Sequence, residues 1–149
     1  MALRLTLKAN ERVIAGGAVL RNDTGRSVHL VVENQVPLLR DKDILFHRQA
    51  DTACKRIYLA IQLMYIDRDN LQKYQRMYWD LTDEVIHAAP STTSMFKAIS
   101  QAIYNGKYYQ ALKETKKLIQ YEEALIRNAT GSGRGVPKQP EGRTERSRG

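Results

Sequence analysis

Leu3, Leu5 and Leu7 alternate with Arg4, Thr6 and Lys8, and a period of two places the leucines on one face of an extended strand. Asn10 offers a turn before a second run over residues 11–15. Gly16-Gly17 follows, and glycine adopts positive φ without steric cost, so the pair predicts a tight hairpin. Ala18–Arg21 resumes the strand, and Asn22-Asp23-Thr24-Gly25 predicts a second turn. Val28, Leu30 and Val32 then alternate with His29, Val31 and Glu33. Residues 36–40 make a last short strand, with Pro37 suited to its start or to a sheet edge. Four or five short strands joined by tight turns predict one small antiparallel sheet over residues 1–50.

From residue 51 the apolar spacing changes from two to three and four. Asp51 or Thr52 is placed to cap a helix reaching about residue 66, with Ile57, Ala60, Ile61, Met64 and Tyr65 on one face. Leu71, Tyr74, Tyr78, Leu81 and Val85 draw a continuous seam along a second helix. Pro90-Ser91 separates it from a third, whose inward positions are Met95, Ile99, Ala102 and Ile103. Asn105-Gly106 is a helix-stop signal. A fourth helix over residues 107–127 points Tyr108, Ala111, Leu112, Thr115, Leu118, Ile119 and Leu125 inward. Short loops between four amphipathic helices predict an antiparallel bundle or two stacked helical hairpins. The fold class expected is therefore α+β: a β module over 1–50, a helical bundle over 51–127, and a tail. Residues 128–149 hold five Gly, two Pro and five Lys/Arg with Val136 as the one sizeable hydrophobe, a composition that predicts a disordered basic tail.

Charge changes this picture. The 149 residues carry a formal net charge of +8, which favours phosphate-bearing or acidic partners. Residues 1–50 hold 8 Lys/Arg against 5 Asp/Glu, residues 51–127 hold 11 against 9, and residues 128–149 hold 5 against 2. The excess sits at the two ends. Arg4, Lys8, Arg12, Arg40 and Lys42 gather on the β module and its exit, and arginine bonds phosphate or guanine bidentately. An ordinary solvated strand face produces the same alternation. Most of the aromatics fall in the helical half, where helical spacing usually means core. Tyr78 and Trp79 point about 100° apart, as do Tyr108 and Tyr109, so some of these rings face outward and offer a surface to a protein partner.

No phosphate-cradling glycine loop, nucleotide-binding G-x-G-x-x-G or nucleophile elbow occurs, which argues against an enzyme and against a cofactor. His29, His47 and His87 stand apart, and Cys54 is the single cysteine, so neither a metal site nor an internal disulfide is expected. No run approaches the ~20 apolar residues of a membrane span and the first residues lack a signal-peptide core, so the cytoplasm is the expected compartment.

Five segments together resemble the FlbT family of alphaproteobacterial flagellin-synthesis regulators. They are the opening Met-Ala-Leu-Arg-Leu-Thr-Leu-Lys-Ala-Asn-Glu-Arg-Val-Ile, Leu38-Leu39-Arg40-Asp41-Lys42-Asp43-Ile44, Ala50-Asp51-Thr52-Ala53-Cys54-Lys55-Arg56-Ile57-Tyr58 with Gln62-Leu63-Met64-Tyr65, Ala88-Ala89-Pro90, and Gly106-Lys107-Tyr108-Tyr109-Gln110-Ala111-Leu112-Lys113. The resemblance spans roughly residues 1–126. It implies a post-transcriptional regulator that binds the 5′ untranslated region of flagellin messenger RNA and works with flagellin and a FlaF-like regulator. Relatives act as repressors or activators. The alternative is a chaperone-like adaptor that binds flagellin without touching RNA.

The β module alone is similar to the carbon storage regulator family, through Leu5-Thr6-Leu7-Lys8-Ala9-Asn10-Glu11 and residues 36–40. That likeness implies RNA contacts at Lys8 and Arg40 and a homodimer through the β module. Leu7 stands where that family has a further arginine, so its RNA preference does not carry over unchanged. The expected RNA-binding set is Arg4, Lys8, Arg12, Arg40 and Lys42; the expected protein-binding set is Tyr78, Trp79, Tyr108 and Tyr109.

Overall fold

The computed structural model of the chain describes residues 2–132. Five antiparallel strands come first: β1 (Leu3–Leu7), β2 (Arg12–Ala15), β3 (Ala18–Arg21), β4 (Val28–Val32) and β5 (Leu38–Arg40). Four helices follow: α1 (Ala53–Ile66), α2 (Leu71–Ala88), α3 (Thr93–Tyr104) and α4 (Tyr108–Ser132). Both glycines of the Gly16-Gly17 turn have positive φ, at 59° and 90°, as a tight hairpin between right-twisted strands demands. Gly106, at φ 73°, closes α3: its N–H bonds the Ile103 carbonyl and the Lys107 N–H bonds that of Ala102.

The single sheet expected from sequence is two sheets. β1 pairs with β4, and β2 lies between β3 and β5. The registers explain the split. Leu7 faces Val28 and Arg12 faces Arg21, so residues 8–11 on one arm of a long hairpin stand against residues 22–27 on the other. Four residues against six cannot keep a ladder in step, and the hairpin turns a corner there. Asn10 adopts φ 64° at the bend.

The corner folds the two sheets over each other. Leu5, Leu7 and Val13 form a small core between them, joined by Val28, Val32 and Leu38. The other face of the three-stranded sheet belongs to the helices: Ile14 and Leu39 are buried in the same cluster as Ile57, Ile61, Met64 and Ile99. The molecule is thus layered as two strands, three strands, then helices, and its main core crosses residue 50.

α1 packs against both α2 and α4, and α3 packs against α4. Thr52 caps α1, its hydroxyl accepting from the Lys55 N–H at 3.2 Å. Glu122 of α4 supports that cap, accepting from Thr52 Oγ1 at 2.6 Å and from the Cys54 N–H at 3.2 Å. A carboxylate at a helix start meets both the free N–H groups and the partial positive charge there. Tyr78 closes the far side by sharing a 2.8 Å hydrogen bond with Ser100 of α3. Two expectations shift along α4. The helix continues to Ser132, so the boundary placed after 127 falls inside it, and Leu125, expected inward, is 38% exposed. The remainder of the expected disordered tail, residues 133–149, lies outside the described residues.

Candidate nucleic-acid interface

The corner of the hairpin brings together residues that are far apart in the chain. Lys8, Asn10 and Glu11 come from the bend itself, and Asp41 and Lys42 from the turn Asp41–Asp43 that leaves β5. Together with Ala9 they line an open depression of about 420 Å³. Lys8 and Lys42 are exposed, and their ammonium groups form no ion pair among the described residues. Arg40 lies alongside: its guanidinium donates to the Thr6 carbonyl at 2.7 Å and meets Glu11 at 3.5 Å. Glu11 is held well below the ordinary carboxylate range, first by accepting the Lys8 backbone N–H at 2.7 Å and then by the Arg40 charge. Glu11 thus stays ionised and offsets part of that charge. Arg40 is both a brace across the two sheets and a member of the cationic group.

The other expected cations are placed differently. Arg4 projects from the outer face of the two-stranded sheet, opposite Val31 and beside the Thr6–His29 pair, and does not line the depression. Arg12 turns toward the helical side, its guanidinium 5.3 Å from the centre of the Phe46 ring. Its backbone N–H donates to Asp41 at 3.2 Å, which ties β2 to the turn carrying Lys42. The structure therefore gathers Lys8, Arg40 and Lys42 and separates Arg4 and Arg12 from them. Arg21, which sequence reasoning passed over, donates to the Asn10 side chain at 3.2 Å and adds a cation near the bend.

Two buried polar residues hold this geometry. Asn22 donates to the carbonyls of Leu7, Lys8 and Arg26 at 3.0, 2.9 and 2.8 Å, and its carbonyl oxygen accepts from the N–H and hydroxyl of Thr24. Asp43 anchors the other side: Lys116 and Tyr109 of α4 both donate to its carboxylate, and Tyr58 donates to its backbone carbonyl. Burial first, then the Asp43 charge, pushes the Tyr58 and Tyr109 hydroxyls above their ordinary values. Neither Asn22 nor Asp43 carries a sequence signal for these roles beyond Asn22 lying in a turn.

The expected protein-binding aromatics divide in pairs. Tyr78 and Tyr108 are buried in the main core and present no side-chain surface, a correction that follows from their places on the inward seams of α2 and α4. Trp79 is 53% exposed and Tyr109 42%, and Tyr104, one of the helical aromatics outside the expected binding set, is 87% exposed. Cys54 is buried, and burial, reinforced by Glu122, pushes its thiol up to about 12. Among the described residues no cluster of His, Cys, Asp and Glu has a metal-binding arrangement, and no helix is long and apolar enough to cross a membrane.

A sequence model described as "Flagellar protein FlbT" matches residues 3–126. A Bradyrhizobium diazoefficiens protein named "Probable flagellum biosynthesis repressor protein FlbT 1" is 43% identical, covering 84% of this chain and 85% of that one. A Rhodopseudomonas palustris protein named "Probable flagellum biosynthesis repressor protein FlbT" is 40% identical over 85% and 98% of the two chains. The Caulobacter vibrioides "Flagellum biosynthesis repressor protein FlbT" is 34% identical over 85% and 90%. No solved structure matches the chain.

Proposed function

We infer from its place in the FlbT family, to which this chain belongs, that it regulates flagellum biosynthesis by binding the 5′ untranslated region of flagellin messenger RNA and controlling its translation and stability. The relatives' names, as flagellum biosynthesis repressors, support the regulatory part. The observation that carries the RNA contact is the grouping of Lys8 and Lys42 on one open depression at the hairpin corner, with Arg40 against Glu11, which lines it. Ammonium groups that form no close ion pair can replace the counterions of a phosphate backbone. Arg40, oriented by the Thr6 carbonyl, adds a planar donor set suited to phosphate or a base edge. RNA seated across the corner would meet the cations on both β2-flanking segments at once.

The test is leader RNA binding by fluorescence anisotropy at several salt concentrations, with Lys8→Ala/Lys42→Ala. Neither ammonium group supports the fold, so the double variant should stay folded. Its affinity should fall with the salt slope reduced by about 2, one phosphate contact per lysine. Unchanged affinity and slope would remove the corner from the mechanism.

A second reading has its own observation. Trp79, Tyr104 and Tyr109 leave large aromatic surface in solvent on the helical half, as a protein-binding adaptor for flagellin or a FlaF-like regulator requires. Binding of flagellin by the chain with no shift of leader RNA would favour that adaptor. The homodimer is proposed on the β module, where Val19, Leu20, Leu30 and Val31 are exposed on β3 and β4; sedimentation of the chain with Val31→Lys tests it.

A further inference from the structure

α2 and α4 flank α1 without closing on each other near their C-terminal ends, and a groove of about 280 Å³ opens there. Its floor is Cys54 and Leu118; its walls are Val85 and Ala88 of α2 and Leu125 and Ile126 of α4. The inward stripe of α4 explains why it exists. Leu118 is fully buried, and Leu125 and Ile126, seven and eight residues on, continue the same stripe beyond the reach of α3. They are 38% and 49% exposed. Residues 84–88 of α2 run for a little over one turn, about 6 Å along the axis, and residues 118–126 of α4 for about two turns, about 12 Å, so the groove offers a short helix one to two turns of contact between them.

Charge selects the occupant. Between Arg76 and Lys97 the chain holds Asp80, Asp83 and Glu84 and no Lys or Arg, within a protein of net charge +8. Glu84 sits on the groove and makes no ion pair among the described residues. Asp80 and Asp83 are exposed on the preceding turn, and Glu123 is exposed on α4. The C-terminal end of α2, at Ala88–Ala89, adds the partial negative charge of its last carbonyls. The neighbouring Lys55 is paired with Asp51 at 3.2 Å, while Arg56 and Arg127 stand nearby in sequence but do not line the groove. Ala53 and Cys54, at the positive start of α1, also line the groove, but Glu122 meets the Cys54 N–H there and offsets that charge, so the carboxylates of Glu84 and its neighbours make the groove favour cations over phosphate. Lys116, which reaches Asp43 beneath the hairpin corner, does not line the groove, and the groove and the depression at the corner share no lining residue. The groove is therefore separate from the cationic corner.

We propose that the groove between α2 and α4 seats an amphipathic helix of a protein partner, with aliphatic side chains entering between Val85, Leu125 and Ile126 and lysines or arginines meeting Glu84 and its acidic neighbours. The proposal does not depend on the RNA reading, since it uses none of the corner residues.

The experiment uses the full chain and two synthetic 16-residue helices with the same leucine stripe, one flanked by lysines and one by glutamates. Titration by fluorescence anisotropy should show the lysine helix binding at least tenfold more tightly. Hydrogen exchange should slow over residues 84–89 and 118–126. Glu84→Lys should weaken the lysine helix several-fold and tighten the glutamate helix, and Ile126→Asp should weaken both; circular dichroism checks that each variant is folded. Equal binding of the two helices, no binding, or protection elsewhere overturns the proposal. So does a dimer that Ile126→Asp dissociates, which gives the groove to a second copy, or binding that appears only after removal of residues 133–149, which gives it to the chain's own terminus.

Discussion

Replacing Asn22 by Asp changes one NH2 group to an oxygen and should be among the most damaging isosteric substitutions in the molecule. The acceptor half survives, because the remaining oxygen still receives the Thr24 N–H and hydroxyl at 3.0 and 2.8 Å. The donor half does not. Three carbonyls, of Leu7, Lys8 and Arg26, lose their bonds to Nδ2. The Lys8 carbonyl keeps a second donor in the Glu11 N–H, while the Arg26 carbonyl has only a share of the Thr24 hydroxyl's one hydrogen, for which the residue-22 oxygen competes. The amide has only two hydrogens to give, so the lost bonding amounts to ~2 kcal/mol. A buried carboxylate facing three carbonyl oxygens adds desolvation and repulsion of about 1–2 kcal/mol. The total, ~3–4 kcal/mol, is a large part of the 5–15 kcal/mol that a domain of this kind has.

Urea unfolding followed by circular dichroism measures it. With m of about 1–3 kcal/mol/M, the midpoint should fall by roughly 1–4 M at unchanged m. Asn22→Ala should fall less at pH 7, because it removes the same bonds without burying a charge. The pH dependence has a definite sign. The introduced carboxyl is buried, so its folded pKa is raised, its protonated form can donate again, and the deficit should shrink as pH is lowered toward 4 and grow as pH rises. A midpoint within about 0.3 M of the parent, or a deficit insensitive to pH, would show that Asn22 fills space at the corner and does not hold it.

Thr82 of α2 is buried and its hydroxyl makes no hydrogen bond of ordinary geometry among the described residues, its polar neighbour being the Tyr78 hydroxyl that Ser100 already engages at 2.8 Å, so Thr82→Val should raise stability by up to ~1 kcal/mol in the same assay; a loss of that size would show that the Tyr78 hydroxyl holds Thr82. Asp67 is held below the ordinary carboxylate range by accepting first from the Tyr74 hydroxyl at 2.6 Å and then from Asn70 at 2.9 Å. Its contribution is present above the unfolded carboxyl's titration and lost as pH falls through the lower folded value, so Tyr74→Phe should differ from the parent at pH 7 and converge on it below about pH 4; a difference independent of pH would assign the effect to packing.

Periodicity made the elements legible because it is local. The alternation of Leu3, Leu5 and Leu7, the Gly16-Gly17 turn and the Tyr74–Tyr78 seam each depend on neighbours within a few residues, and each element formed where its pattern lies. The seams also contained the answer for the aromatics. Tyr78 and Tyr108 occupy inward positions, which leaves Trp79 and Tyr109, about 100° round the helix, as the exposed members of each pair. What local pattern does not carry is register. That β1 meets β4 and not β2, with four residues opposing six at the bend, follows from pairing across 29 positions between Leu3 and Val32.

The same distinction separates the legible from the hidden part of the candidate site. Lys8, Arg40 and Lys42 are visible as cations in the sequence, but their convergence depends on the corner, and the corner depends on Asn22 and Asp43. Asp43 reads locally as one more acid beside a lysine; its actual partner, Lys116, is 73 residues away. Glu122 likewise reads as a solvated helix acid yet supports the start of α1 from 68 residues on. Such residues are buried, polar and satisfied only by distant groups, so each exerts its effect through the folded state alone. Arg40 shows the functional consequence. Its guanidinium holds the two sheets together through Thr6 and meets Glu11, which lines the depression, so Arg40→Ala would confound loss of RNA contact with loss of the corner. Lys8 and Lys42, which brace nothing, are the residues that separate binding from architecture.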